Sequence, residues 1–213
     1  VGYSQKQMPN VELSSVSGDS FNVSTDYDDE DKLYVFSFWA TWCAPCINEL
    51  DAIHQKYNDW KEKLNIEVIA VSVDDLDSHN KWVPDIEEIN GVTMNFPIIA
   101  DEDRKVATLY DMIHPNASEK ATVRSVFIIG PDKKVKLTLT YPASTGRNFH
   151  ELLRVIDSLQ LTANYSVATP ADWQDGDKVI VVPAVSTEDA IKKFPKGIDE
   201  VRPYLRYTPQ PNK

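Results

Sequence analysis

The chain has 213 residues, 42% of them hydrophobic and 26% charged, with a formal net charge of −11. That composition describes a globular protein, and so acidic a surface argues against nucleic acid or anionic membrane as a partner. No apolar run approaches the roughly 18–20 residues that span a bilayer.

Residues 1–31 are polar and acidic. Val11-Glu12-Leu13 is the only strand signal there, and Asp26–Asp31 reads as a solvated loop. Leu33–Phe38 is short, β-branched and aromatic, which predicts a buried strand. A helix is expected from about Ala44 to Trp60. Ile47, Leu50, Ile53, Tyr57 and Trp60 recur at three to four residues along one face of it. Pro45 falls in its first turn, where proline is tolerated. Ile66–Val73 reads as a second buried strand, and the strand–helix–strand order implies a parallel pair with a right-handed crossover. A helix follows from about Ser78 to Ile89, broken or kinked by Pro84. Pro97–Ala100 predicts a short strand and Asp103–Met112 a further helix. Val123–Ile129 and Val135–Tyr141 predict a hairpin closed by Gly130-Pro131-Asp132-Lys133, with Asp132 as a turn residue. Asn148–Leu161 carries an apolar stripe of Phe149, Leu152, Leu153, Ile156 and Leu159. Asn148 with Glu151 has the spacing of a capping box, and His150 reads as solvated.

After about Thr162 prolines accumulate, and only Val179–Val182 and Thr187–Phe194 look regular. So short and apolar-poor a tail is not expected to bury a core of its own. The expected organisation is a core domain over 1–163 and an arm over 164–213 that packs on it or on a partner subunit.

The chemical content is concentrated in Trp39-Ala40-Thr41-Trp42-Cys43-Ala44-Pro45-Cys46, which holds both cysteines of the chain. A strand that delivers Cys-x-x-Cys to a helix start places the first thiol where unpaired N–H groups and the helix dipole favour a thiolate. The second lies one turn later. A disulfide closing so short a loop removes little chain entropy, so it is no structural staple. Structural zinc wants four ligands, and His54, His79, His114 and His150 are scattered. Redox use is favoured over metal, and no cofactor is expected.

Two resemblances follow. Tyr34 through Cys46, continued by Asn48-Glu49-Leu50, resembles thioredoxin-like proteins of the bacterial periplasmic disulfide-reductase type, over about residues 1–73. The remainder, about residues 74–213, resembles a 1-Cys peroxiredoxin. That likeness is carried by Phe96–Asp101, Thr122–Phe127, Gly130–Lys134, Thr145–Phe149, Leu152–Thr162, Val167–Trp173 and Tyr204–Pro211. The two meet in Ile69–Asp75, which suits either family. The resulting expectation is a hybrid, an engineered chimera; a natural peroxiredoxin-like protein with a divergent front is the alternative. Both resemblances imply an α/β thioredoxin-like fold, a central mixed sheet flanked by helices, and the second implies a homodimer joined through its C-terminal arm. The peroxiredoxin part implies a cytoplasmic setting and the thioredoxin-like part a periplasmic one.

The peroxiredoxin resemblance puts Cys46 at the peroxidatic position, in Cys46-Ile47-Asn48-Glu49-Leu50, and keeps the family's arginine as Arg124. The family's threonine, proline and histidine positions fall on Cys43, Trp39 and Phe38. Thioredoxins place a cis-proline where Arg124 stands, so recognition of protein disulfides is expected to be weak. Trp39 and Trp42 are read as packing around the site. Glu49 either orients nearby backbone or arginine groups or is solvated. Arg124 either serves the site or pairs with a carboxylate on the sheet rim. Bringing a thiol from a pKa of about 8.5 to about 7 needs roughly 2 kcal/mol; a helix N-terminus supplies roughly 0.3–1 of it, up to about 2 in partly buried geometry, and a guanidinium can supply the rest.

Three functions compete. The first is dithiol–disulfide exchange on small disulfides, with Cys43 attacking and Cys46 resolving. The second is reduction of hydrogen peroxide with the roles reversed: Cys46 forms a sulfenic acid and Cys43 condenses with it. The third is a catalytically poor chimera. Either active form needs a thiol reductant.

Overall fold

The computed structural model describes residues 7, 8, 10–22, 24, 25, 32–41, 44–112, 124–142 and 144–213. Its residues divide into two compact units, Val1–Arg147 and Asn148–Lys213.

The first unit opens with a hairpin of β1 (Glu12–Ser15) and β2 (Ser20–Asn22). Leu13 and Ser15 alternate inward while Glu12 and Ser14 face out. Gly18 turns the chain at φ +90, a conformation that suits a residue without a Cβ. So few apolar residues mark this hairpin that Val11–Leu13 was its only trace in the sequence. Strand β3 (Leu33–Phe38) is buried at every position, as a short apolar run between covered faces should be. Helix α1 (Ala44–Leu64) continues four residues past the expected end at Trp60. Lys61 and Lys63 in its last turn suit the negative end of the dipole, and Lys63 pairs with Asp59 at 2.9 Å. Strand β4 (Ile66–Ser72) lies parallel to β3, in register from Leu33 opposite Ile66 to Phe38 opposite Val71.

Helix α2 (Leu76–Asn90) runs through Pro84 instead of breaking there. Both its ends are secured: the Asp75 carboxylate accepts from the Ser78 amide at 2.6 Å, and Gly91 closes the helix at φ 67. Strand β5 (Ile98–Ala100) pairs parallel with β4 and antiparallel with β1. Helix α3 (Lys105–Leu109) is shorter than the Asp103–Met112 pattern, because Arg104 and Asp111 bracket it in the left-handed region, both at φ 55. The buried Asp101 carboxylate accepts from the amides of Val106 and Ala107, at 3.1 and 2.7 Å. Strands β6 (Arg124–Ile129) and β7 (Val135–Tyr141) form the expected hairpin. In its turn Asp132 accepts from the Lys134 amide and from Lys136.

Among the described residues these strands form a seven-stranded mixed sheet in the order β2-β1-β5-β4-β3-β6-β7. Phe36, Phe38, Tyr110 and Phe127 interlock edge-on or tilted in its core, with ring centroids 4.5–6.3 Å apart.

The second unit begins with α4 (Phe149–Asn164). Asn148 accepts from the amides of His150 and Glu151. Glu151 does not reach back; its carboxylate takes Arg154 instead, so the capping box is half formed. Then come β8 (Val167–Ala168), β9 (Val179–Val181), α5 (Thr187–Lys193), β10 (Asp199–Arg202) and β11 (Leu205–Thr208). The strands form a second sheet in the order β10-β11-β9-β8. Every residue of β10 is exposed, and its pairing with β11 slips between Glu200 and Arg202. The expectation that the tail lacks a core of its own is corrected. Leu161 at the end of α4 joins Val167, Trp173, Val179, Val181, Ala190 and Phe194 in one buried cluster. The helix placed with the core domain on sequence thus groups with the C-terminal residues, and its contribution is what that count of the tail omitted.

Trp173 is 1% exposed and its indole N–H donates to the Asp177 carbonyl at 3.2 Å. Trp173→Ala should cost about 3–5 kcal/mol, read as lost amide protection in residues 148–213 by hydrogen exchange. Burial raises the Asp101 pKa above its ordinary 3.8, against the opposing pull of the Ala107 and Val106 amides. The folded chain therefore binds this proton more tightly than the unfolded one, and stability falls as pH rises from the unfolded pKa through the folded one. Asp101→Asn should flatten that segment of a urea-denaturation profile taken between about pH 3.5 and 7.

Candidate active site

Strands β3 and β4 end side by side, and a cleft beyond the carboxyl ends of parallel strands is where α/β sheets place their chemistry. The chain leaves β3 at Trp39, whose amide still donates to the Val71 carbonyl at 3.0 Å. The Trp39 side chain is buried. It stacks on Trp82 of α2 at 4.3 Å and meets His79 edge-on at 5.4 Å. Its indole N–H and the His79 Nε2 have no partner among the described residues. The Thr41 amide donates to Asp74 Oδ2 at 2.7 Å, and the Ser72 hydroxyl donates to the same oxygen. The turn after β3 is thus pinned to the turn after β4. Trp42 and Cys43 lie outside the described residues.

Helix α1 starts at Ala44, with Pro45 in its first turn. Cys46 follows in that turn, fully buried and disulfide-bonded. Glu49 stands three residues on, so both side chains share the inward face of α1. Glu49 is 6% exposed, which removes the solvated reading. Its carboxylate collects three donors. The Ser37 hydroxyl of β3 reaches Oε1 at 3.0 Å, Arg147 Nη1 binds the same oxygen, and Arg124 Nη2 reaches Oε2 at 3.2 Å.

The two guanidiniums are held from behind. Arg124, at the start of β6, also donates to the Thr145 carbonyl at 3.0 Å. Arg147 donates to the carbonyls of Phe38 at 2.5 Å and Ser125 at 3.3 Å, and its side chain is wholly buried. Burial pulls the Arg147 pKa down, with the Glu49 carboxylate opposing; a guanidinium stays charged regardless. Two buried cations therefore meet on one carboxylate, that of Glu49, which stands one helical turn along α1 from Cys46. Arg124 does pair with a carboxylate, as one sequence reading allowed, but inside the site and not on an open rim.

Sequence reasoning thus named Glu49 and Arg124, which the fold brings into contact, Cys46, one turn before Glu49 on α1, and Trp39, which packs against His79 and Trp82. It missed Arg147 and Ser37. Arg147 sits alone in a Thr-Gly-Arg loop with no periodicity to mark it. Ser37 did leave a trace: a small hydroxyl near the end of a fully buried apolar strand. Among the described residues no group of three or more His, Cys, Asp or Glu could hold a metal.

The profile of the AhpC/TSA family matches residues 4–138, and that of the C-terminal domain of 1-Cys peroxiredoxin matches residues 158–197. The chain belongs to the peroxiredoxins. A 1-Cys peroxiredoxin of Dictyostelium discoideum is 56% identical over 168 residues, 79% of this chain and 69% of that one. The solved yeast mitochondrial 1-Cys peroxiredoxin superposes with a TM-score of 0.87 at 40% identity, covering 98% of this chain and 99% of its own. A cysteine-to-serine mutant of peroxiredoxin 6 of Arenicola marina gives 0.86 at 42% identity, covering all of both chains. The fold is accordingly the thioredoxin-like peroxiredoxin fold with a C-terminal domain, and the protein is a thiol oxidoreductase of the thioredoxin superfamily.

These matches overturn the expected hybrid, and the catalytically poor chimera with it. The family profile begins at residue 4, and the Arenicola marina peroxiredoxin aligns from end to end. The misreading came from a short stretch, Trp39 to Cys46, at a turn that both families place at the same point of one shared fold. The buried cluster runs across the supposed join, tying Glu49 to Arg124 and Arg147.

Removing one member of a buried ion cluster is costlier when charge is left uncompensated. Glu49→Ala strands two guanidiniums and should cost about 3–5 kcal/mol. Arg147→Met leaves Glu49 with Arg124 and Ser37 and should cost less. Denaturant unfolding of this peroxiredoxin should rank the two variants in that order.

Proposed function

We propose that this peroxiredoxin is a thiol peroxidase that reduces hydrogen peroxide at Cys46. The observation that supports the reading is the pair of buried guanidiniums, Arg124 and Arg147, held on Glu49, which stands one turn along α1 from Cys46. A positive field there favours the thiolate in the resting state. It also favours the negative charge that builds on oxygen as the O–O bond breaks. Family membership reverses the order of the two redox readings: peroxide reduction now stands ahead of exchange on small disulfides.

The chemistry runs in three steps. The Cys46 thiolate attacks one peroxide oxygen, the S–O bond forms, the O–O bond breaks, and hydroxide leaves to take a proton as water. The sulfenic acid then meets a second thiol; an S–S bond forms and a second water departs. The one other cysteine in the chain is Cys43, which makes it the resolving thiol of the proposal. Two reducing equivalents from an external thiol reopen the disulfide. The solved yeast relative is described as resolving its thiol via glutathione/thioredoxin systems, and a reductant of that class is proposed here. Trp42 and Pro45 keep their proposed roles as supports of the Cys43–Cys46 segment. Dimerisation through residues 164–213 is proposed on the family likeness alone.

Peroxide consumption with a dithiol reductant tests the assignment. Cys46→Ser should fall to the uncatalysed background. Cys43→Ser should keep its first turnover and accumulate a sulfenic acid that dimedone traps, with steady turnover now needing a small monothiol. Full turnover in Cys46→Ser, or no peroxide-dependent dimedone adduct in Cys43→Ser, would refute the scheme.

A further inference from the structure

We infer that Ser37 is a positioning residue that sets the acidity of the Cys46 thiol through Glu49. The inference rests on Cys46 as the reacting thiol, and its test reads the thiol directly, without peroxide.

Strand β3 reads Leu-Tyr-Val-Phe-Ser-Phe and is buried throughout. Serine is poorly suited to that setting: it adds little apolar area, and a buried hydroxyl is costly unless it is bonded. The Ser37 hydroxyl is bonded, and only 3% of the residue is exposed. Its partner is Glu49 Oε1, at 3.0 Å, on the helix that packs over the strand. The strand thus gives up an apolar contact to place one neutral donor on the carboxylate.

A neutral donor does something that a third cation would not. In this inference Glu49 and a reduced Cys46, one turn apart on α1, draw on the field of the same two guanidiniums. Arg147 shares Oε1 with Ser37, while Arg124 takes Oε2. The hydroxyl satisfies one carboxylate lone pair without adding charge, and with the two arginines it fixes the plane of the carboxylate. Without it, Glu49 is free to turn and to draw more of the arginine field onto itself. The field at the neighbouring turn weakens, and the thiol becomes harder to ionise.

Titrating thiolate absorbance in the ultraviolet, in reduced protein carrying Cys43→Ser, isolates Cys46. Adding Ser37→Val should move the midpoint upward, with the thiolate population below it falling about three- to tenfold. Ser37→Thr has nearly the same volume and shape as valine but keeps the hydroxyl, and it should restore the parent midpoint. The pair controls for packing, since both are β-branched and both suit a strand. In a Glu49→Gln background the valine change should lose its effect. A midpoint that Ser37→Val leaves in place, or that moves equally with Glu49→Gln present, overturns the inference. If the titration behaves as expected while peroxide consumption fails, the peroxidase assignment falls and the positioning role stands.

Discussion

One carboxylate held between two buried guanidiniums organises the functional end of this protein. Glu49 reaches Arg124 on β6, Arg147 ahead of α4, and Ser37 on β3, so a single side chain of α1 fastens the helix to the strand end it follows. Buried charge is costly to desolvate, and an ion cluster repays that cost only when its geometry is good and its remaining donors are occupied. Here the backbone does much of the occupying: carbonyls of Phe38, Ser125 and Thr145 take the outward faces of the guanidiniums. One of those carbonyls, that of Phe38, ends the strand that leads into the cysteine turn. Electrostatics and backbone placement are therefore one arrangement, not two.

The position of that arrangement is what links fold to the proposed chemistry. Guanidiniums gathered near a helix start make a place where negative charge is welcome, and the peroxide reduction proposed above passes through negative charge on sulfur and then on oxygen. The helix dipole contributes at the same spot and with the same sign. Both effects act in the direction that favours a thiolate.

Much of the architecture was legible in the sequence. The buried strands announced themselves as short β-branched runs, and β3 has the bounds that its apolar block predicts. Helix ends were less legible, because α1 is extended by charge at its last turn and α3 is cut short by two left-handed residues that no propensity signals. Within the site, residues tied to a local pattern were visible: Cys46 by its spacing, Glu49 by its place after it. Arg147 was not, since its role depends on a contact with a residue 98 positions away. The family boundary was misjudged for a related reason. The run from Tyr34 to Cys46 with Asn48–Leu50 describes one strand and the turn into one helix, whereas the peroxiredoxin pattern extends over residues 4–138.

The outermost strand of the small C-terminal sheet points in a different direction. β10 carries Asp199, Glu200 and Arg202 on a fully exposed edge, and its ladder is interrupted by an irregularity. Charged side chains and a broken register discourage a further strand from adding to such an edge. This border of the sheet is thus a stop, which keeps the unit from growing into ribbons with its neighbours at high concentration.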